Sequence, residues 1–569
     1  MRRALLVAVA LAAALALPAT AFAHAALLKT FPQASAELDR QPGAVRLTYD
    51  EAVEPRFAIV SVTDADGRSQ TTGAPRRAAG DPYTLEVPLR RLARGWYLVF
   101  WRIISADGHP VRGAFTFDVG PNPGPAPEFA IPPLSETAAT PGLVAARWVA
   151  FLATMVALGL FALRALVARP LVERVEGTRL RALSAAFLVA LALALLAVPA
   201  YLLAATAQFA LRSVLDLGAL VPLVRASVFG RGFLDLELDL ALFAGAALAA
   251  LWLDRPERGR RSLAALLALW GALAAGGAAL LAPSAAGHAA QTAPRPLALA
   301  LDWLHLVAGS LWLGGLAGLL VLWAALPASL RPAGLAVCVP RFSRVALLSV
   351  LALVGSGTGA AILHLPTVAS LWRTSYGQAL LVKVGLLAAA LALAAVNLLH
   401  TRTALQANAP DARAARLLRS LVGGETLLVA GALAAAAVLT SLPPPAKALA
   451  GLGRPAASVG PGPVERVVER GGYRLELGVR PNRVGVANEI AIRLLRDGEP
   501  VRGARVTATF TMLDMDMPAL AYTLPERGSG RYERSAPALV MVGRWALRFD
   551  VEPARRAPFS VLVVDRANG

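Results

Sequence analysis

Two side chains with metal-binding chemistry stand two residues apart in the run WRIISADGHPVRGAFT (Trp101–Thr116): Asp107 and His109. On an extended segment that spacing puts both on one side of the backbone. A third candidate is His24, which follows Ala21-Phe22-Ala23, the A-x-A pattern that closes a signal peptide over residues 1–23. Cleavage after Ala23 would free the α-amino group of His24 beside its own imidazole, a bidentate nitrogen chelate. One amine, two imidazoles and a carboxylate make a tetragonal nitrogen and oxygen set that suits Cu(II). Asp107-Gly108-His109-Pro110 is also ordinary hairpin-turn chemistry, so spacing alone leaves both readings open.

Further donors lie downstream. His288, His305 and His364 are expected to converge near the outer mouth of a helical region, where they are candidate metal ligands, and His400 stands at its opposite end. Lys383, Glu425, Asp302 and Asp239 are ionisable groups at or near membrane depth, where charge is costly and marks a pathway or a partner. Interhelical hydrogen bonding is the alternative for each histidine, and snorkelling to the interface is the alternative for Lys383. In the run TMLDMDMP, Met515 and Met517 share a strand face with Met512 close by, and Met541 is a fourth thioether. Soft sulfur donors suit Cu(I), although core gap-filling is the commoner fate of methionine.

The elements that must position these groups follow from composition. With 56% hydrophobic and 16% charged residues, the 569-residue chain is too apolar for soluble domains alone. Residues 24–120 alternate in short β-rich runs with turn signals, which predicts a β-sandwich. Residues 121–142 are a Pro-rich linker. From 143 to 442 come eight apolar spans of membrane-crossing length: about 143–166, 182–207, 236–254, 262–283, 299–325, 344–365, 378–400 and 420–442. Residues 443–463 form a Pro/Gly linker, and 464–569 alternate again as a second β-sandwich. The fold class is therefore an N-terminal all-β sandwich, an eight-helix transmembrane bundle and a C-terminal all-β sandwich.

The net charge of +19 would ordinarily suggest nucleic acid as a partner. Much of it, however, is arginine in alternate loops, as in Arg169, Arg174, Arg179 and Arg181, or Arg413, Arg416 and Arg419. That asymmetry follows the positive-inside rule and places both β domains on the outer, periplasmic side of the bacterial inner membrane. Nucleic acid drops out; membrane lipid takes its place. A single cysteine, Cys338, excludes a disulfide framework and any thiolate metal cluster.

HAALLKTFPQASAEL from residue 24, LTYDEAV at 47–53 and SADGHPVRGAFTFDV at 105–119 resemble the CopC copper-binding proteins. The resemblance implies a β-sandwich holding Cu(II) through His24, Asp107 and His109, with Glu51 as a carboxylate beside the site. Residues 24–154 contain no methionine, so no thioether site for Cu(I) is expected there. LDWLHLVAGSLWLGGLAGL (301–319), RFSRVALLSVLALVGSGTGA (341–360) and TSYGQALLVKVGLLAAALALAAVN (374–397) resemble the CopD copper-resistance membrane proteins. Residues 528–551 resemble the YtkA-like β domains, without the histidine some of these place near their methionines. Gly309, Gly314 and Gly315 read as close helix packing through small residues.

The expected function is copper capture in the periplasm followed by copper transport across the inner membrane. Captured Cu(II) must be reduced before passage, and the membrane or C-terminal domain would then handle Cu(I). The alternative is a membrane-anchored copper buffer or chaperone that serves periplasmic copper proteins without transport. An enzymatic role is not expected, since no substrate face accompanies the histidines, and no Walker motif is present.

Overall fold

The computed structural model describes residues 27–33, 36–49, 51–105, 110–121, 140–226, 228–254, 260–292, 294–401, 412–442, 455–484, 486–513, 519–536, 538–540, 543–554 and 556–568. These fall into two compact units. One comprises residues 1–21, 138–364 and 376–442; the other comprises 22–137, 365–375 and 443–569.

The second unit is all-β apart from short turns of helix. Its N-terminal part has strands β1 (Leu27–Phe31), β2 (Glu37–Leu38), β3 (Ala44–Tyr49), β4 (Ile59–Asp64), β5 (Arg76–Ala78), β6 (Asp81–Pro88), β7 (Gly95–Ile104) and β8 (Pro110–Val119). They form two four-stranded sheets, β1-β3-β6-β5 and β2-β8-β7-β4. The C-terminal part continues with β9 (Ala457–Ser458), β10 (Val464–Arg470), β11 (Tyr473–Arg480), β12 (Asn488–Arg496), β13 (Glu499–Pro500), β14 (Arg505–Met512), β15 (Leu520–Leu524), β16 (Glu526–Gly528), β17 (Arg531–Ala536), β18 (Gly543–Glu552) and β19 (Phe559–Ala567). Here the sheets are β10-β11-β12-β17-β16, with β13 on β12, and β15-β14-β18-β19-β9. Alternation drives both pairs. In β14 the side chains of Val506, Ala508, Phe510 and Met512 are buried while those between them are not, as a two-residue period requires of a strand with one face on a core.

The two β parts are joined, which the linker-separated reading of the sequence did not anticipate. Val45, Leu47, Trp101 and Phe115 from the first share one buried core cluster with Leu475, Phe510, Val540 and Trp545 from the second. The open edge of β8 pairs across the join, the Ala114 N–H donating to the Val540 carbonyl at 3.2 Å. Gly113 makes this approach possible: a Cβ there would lie 2.7 Å from the Trp101 ring and 3.0 Å from the Val540 oxygen. Deeper in the C-terminal part, the Asp565 carboxylate on β19 is 1% exposed and accepts from Asn482 Nδ2 at 3.0 Å. Burial pushes its carboxyl up to about 6, against the lowering effect of that bond.

The first unit is helical. Among the described residues, eight helices are long and apolar enough to cross a membrane: α1 (Pro141–Arg174), α2 (Arg181–Ala210), α3 (Phe229–Leu253), α4 (Leu263–Ala285), α5 (Arg295–Ala325), α6 (Arg331–His364), α7 (Ser375–Thr401) and α8 (Arg413–Leu439). The predicted spans were apolar cores, and several helices run beyond them. α6 begins thirteen residues before the expected 344, and α3 begins at Phe229, ahead of the expected 236. A helix satisfies its own backbone and need not stop where the hydrocarbon stops, so charged turns carrying Arg331 and Arg341, or Arg231 and Asp235, extend it.

The bundle core is aromatic and small-residue packing. Phe161, Phe187 and Phe243 meet with ring centroids 5.5–6.0 Å apart. α1 and α5 touch backbone to backbone, since a Cβ on Gly159 would collide with the Ser310 carbonyl and with Gly314. Gly315 lies under Phe342 and Gly309 under Met155. Leu347, Leu348, Leu351 and Val354 on α6, and Leu381, Val382 and Val384 on α7, face outward; these are lipid-facing positions in a membrane helix.

Candidate metal centre and polar stations of the bundle

His24, Asp107 and His109 lie outside the described residues. The framework to which they attach is described. Ile104 and Pro110 are register partners across β7 and β8, so Asp107 and His109 belong to the connection of that hairpin. β1 starts at Leu27, three residues after His24, and Leu27 pairs with Tyr49, two residues before the half-buried Glu51. Tyr49 in turn packs edge-on against Trp101, with centroids 5.8 Å apart, three residues before the end of β7. Register and packing thus bring the start of β1, the end of β3 and the facing ends of β7 and β8 to one end of the sandwich. At the centre of that framework the buried Tyr49 hydroxyl has no hydrogen-bond partner, and burial holds its pKa well above the usual phenol value.

Of the C-terminal methionines, Met512 is described and is 2% exposed in the β core, paired with Trp545. Its surroundings are those of a packing residue. Met515, Met517 and Met541 lie outside the described residues.

In the bundle, the backbone of His288 opens a short 3-10 turn, His288–Gln291. His305 on α5 is held at both ring nitrogens: Nδ1 lies 3.1 Å from Ser356 Oγ on α6, and Nε2 lies 3.4 Å from Lys383 Nζ on α7. An ammonium offers donors only, so Nε2 is the accepting nitrogen and Nδ1–H donates to Ser356. The Ser356 hydroxyl passes its own proton to the Ala352 carbonyl at 2.6 Å. His364 has the same tautomer for a different reason. Its Nδ1 donates to the Ala360 carbonyl at 2.7 Å, which leaves Nε2 to accept from Thr292 Oγ1 at 3.2 Å, and its ring stacks on Tyr376. Both histidines therefore present the Nε2 lone pair, the form in which imidazole binds a metal. They do so at different levels: Ser356 and His364 are two turns of α6 apart, about 12 Å.

Asp302, one turn before His305, accepts from Ser284 on α4 at 2.6 Å. Lys383 reaches inward to His305 rather than snorkelling away. Asp239 is half-buried on α3. Glu425 on α8 is 2% exposed and accepts from Asn397 Nδ2 at 3.3 Å, while His400 on α7 is exposed.

Two arginines on α1, Arg147 and Arg164, are buried in the bundle. Arg147 bonds Tyr201 on α2 at 2.8 Å and Ser441 and Thr440, just past α8, at 2.7 and 3.0 Å. Arg164, Arg169 and Arg261 converge on Asp254 at 3.2–3.4 Å. No periodicity in the sequence announces either; both depend on which helices become neighbours.

Three family models match in chain order: CopC domain over residues 27–120, Copper resistance protein D over 336–439, and YtkA-like over 469–550. A CopC-like β-sandwich followed by a multi-pass helical bundle defines the class, that of membrane copper-resistance proteins. The chain belongs to the CopC–CopD family, with a YtkA-like domain at its C-terminal end. It is similar over nearly its whole length to the Copper transport protein CutJ of Bacillus subtilis (strain 168), 28% identical over 540 residues and 94% of each chain. The N-terminal region is similar to Protein YobA of Escherichia coli (strain K12), 35% identical over 99 residues, 17% of this chain and 80% of that protein. It is also similar to Copper resistance protein C of Pseudomonas syringae pv. tomato, 32% identical over 114 residues, 19% of this chain and 90% of that protein.

Proposed function

We propose that the N-terminal domain captures copper as Cu(II) on the periplasmic side, through His24, Asp107 and His109 with Glu51 beside them, and that the bundle carries copper across the inner membrane. The observation that carries this reading is His305: an imidazole bonded to Ser356 and Lys383 on the helices that the Copper resistance protein D model matches, and fixed by Ser356 in the metal-binding tautomer. The full-length likeness to a protein described as a copper transport protein supports it. So does the join between Ala114 and Val540, which requires both β domains to lie on one face of the membrane, as an even number of crossings does. Lys383 then acts as a tethered cation on the Nε2 lone pair, which an entering copper ion displaces. Met515 and Met517 are candidate thioether ligands for Cu(I) in the C-terminal domain.

Copper uptake into proteoliposomes tests the reading. Wild type should accumulate copper above empty vesicles, and His305→Ala should lower the initial rate at least about tenfold, the cost of losing one metal ligand. Absence of uptake with Cu(II) binding intact would leave the anchored buffer or chaperone instead. A residue added before His24 should abolish the native Cu(II) EPR spectrum; an unchanged spectrum removes His24 from the site.

A further inference from the structure

α7 ends unusually. Its last five residues, Asn397–Thr401, form a π-helical turn rather than an α-helical one, a local widening that recurs at functional sites. This turn packs on α8. From it Asn397 Nδ2 reaches the carboxylate of Glu425 at 3.3 Å. Two oxygens are left over: Asn397 Oδ1 and Thr401 Oγ1 are both buried and have no hydrogen-bond partner. Thr401 is 1% exposed and Glu425 is 2% exposed.

The imbalance is one of acceptors. Glu425 and Asn397 meet on facing helices and the Thr401 hydroxyl lies one turn further along α7, all in a membrane protein, where a buried acceptor without a donor costs free energy in full. The Asn397 amide supplies one donor to Glu425, and its own oxygen then lacks one. The negative end of the α7 dipole adds to the surplus, since the last carbonyls of a helix point out of its C-terminus. A cation relieves all of these together. The donors are hard oxygens, with no imidazole or sulfur among them, so the ion that fits is a hard one and not Cu(I). A single carboxylate matches a monovalent charge. Interrupted helix ends that offer backbone and side-chain oxygens at membrane depth are how ion-coupled transporters hold Na⁺.

We infer that Glu425, Asn397 and Thr401 form a Na⁺ site at the end of α7 away from His305. Lys383 and Asn397 are fourteen residues apart on α7, about 21 Å, with the apolar run Val384–Val396 between them. The bundle thus holds a nitrogen station and an oxygen station, one at each end of a single helix. In a copper carrier the second station couples the Na⁺ gradient to copper movement; that use rests on the transport reading above, whereas the site itself does not.

Equilibrium binding of ²²Na⁺ to the full-length protein in detergent, read by scintillation proximity, tests the site without copper. The expected result is saturable binding, displaced by unlabelled NaCl and not by choline chloride. Glu425→Gln and the isosteric Thr401→Val should each weaken it at least about tenfold. Thr401→Ser, which keeps the hydroxyl, should retain it, and His305→Ala should leave it unchanged. No saturable ²²Na⁺ component in wild type overturns the inference, as does equal binding by Thr401→Val and Thr401→Ser. Lost copper uptake with Na⁺ binding intact would count against the transport reading alone.

Discussion

Glycine lets backbone approach backbone in both units of this protein, but for different physical reasons. In the bundle, Gly159 and Gly314 bring α1 and α5 into direct contact. Lipid is as apolar as leucine, so helices gain little by hiding leucines from it, and close van der Waals packing has to hold them together. In the β unit, Gly113 clears the Trp101 ring and the Val540 carbonyl. There a shared apolar core excluded from water already drives association, and the glycine only removes an obstacle. One contact is the adhesive; the other is a clearance.

The sharpest way to break this comparison is Gly159→Leu. It should abolish the folded bundle, seen as loss of the monodisperse peak in detergent, while Gly355→Leu, whose Cβ would meet nothing within 4 Å, leaves the peak in place. Equal behaviour of the two would show that the α1–α5 contact is not what holds the helices. A smaller effect concerns water, which the β unit faces and the hydrocarbon region does not. Asp565 binds its proton more tightly folded than unfolded, since its carboxyl rises from 3.8 to about 6. The folded state is therefore favoured at low pH, and that contribution is lost as pH rises from about 4 to 6, on the order of 3 kcal/mol in all. Thermal melts of the intact protein should show Asp565→Asn neutral below about pH 4 and stabilising at pH 7.5; a variant no more stable than wild type at pH 7.5 refutes it. Smallest is Gly113→Ala, expected to cost about 1–3 kcal/mol by overpacking. Hydrogen exchange should report it as faster exchange over residues 110–119, where the Ala114 N–H loses its partner, and unchanged exchange there would mean the clearance is not needed.

How much of this was legible beforehand depended on whether a feature repeats locally. Strand alternation, apolar spans and the arginine asymmetry are local, and with the family likeness they gave three modules in the order observed. Gly309, Gly314 and Gly315 could be read as packing because small residues cluster within one helix. Gly113 could not, since its reason is Val540, more than four hundred residues away. In the same way His305 and His364 were visible as candidate ligands, but not that Ser356, Lys383 and Thr292 would hold them at separate levels. Asn397 and Thr401 carried no signal at all, because an amide and a hydroxyl at a helix end are unremarkable until Glu425 is found against the amide. Met512 shows the converse: its place in a methionine run suggested a site, while its strand register turned it into the core.

The join at Ala114 and Val540 has a consequence for the chain as a length of polymer. Residues 138–364 and 376–442 lie in the chain between the two joined β parts, so the membrane domain is a loop of chain closed by that join. Closure entropy grows only with the logarithm of loop length, so so long a loop costs little more to close than one half its size. A clasped loop can also be cut without being lost. One proteolytic nick between transmembrane helices would leave both halves attached to a single β body, and the protein would come apart only when that body itself unfolded.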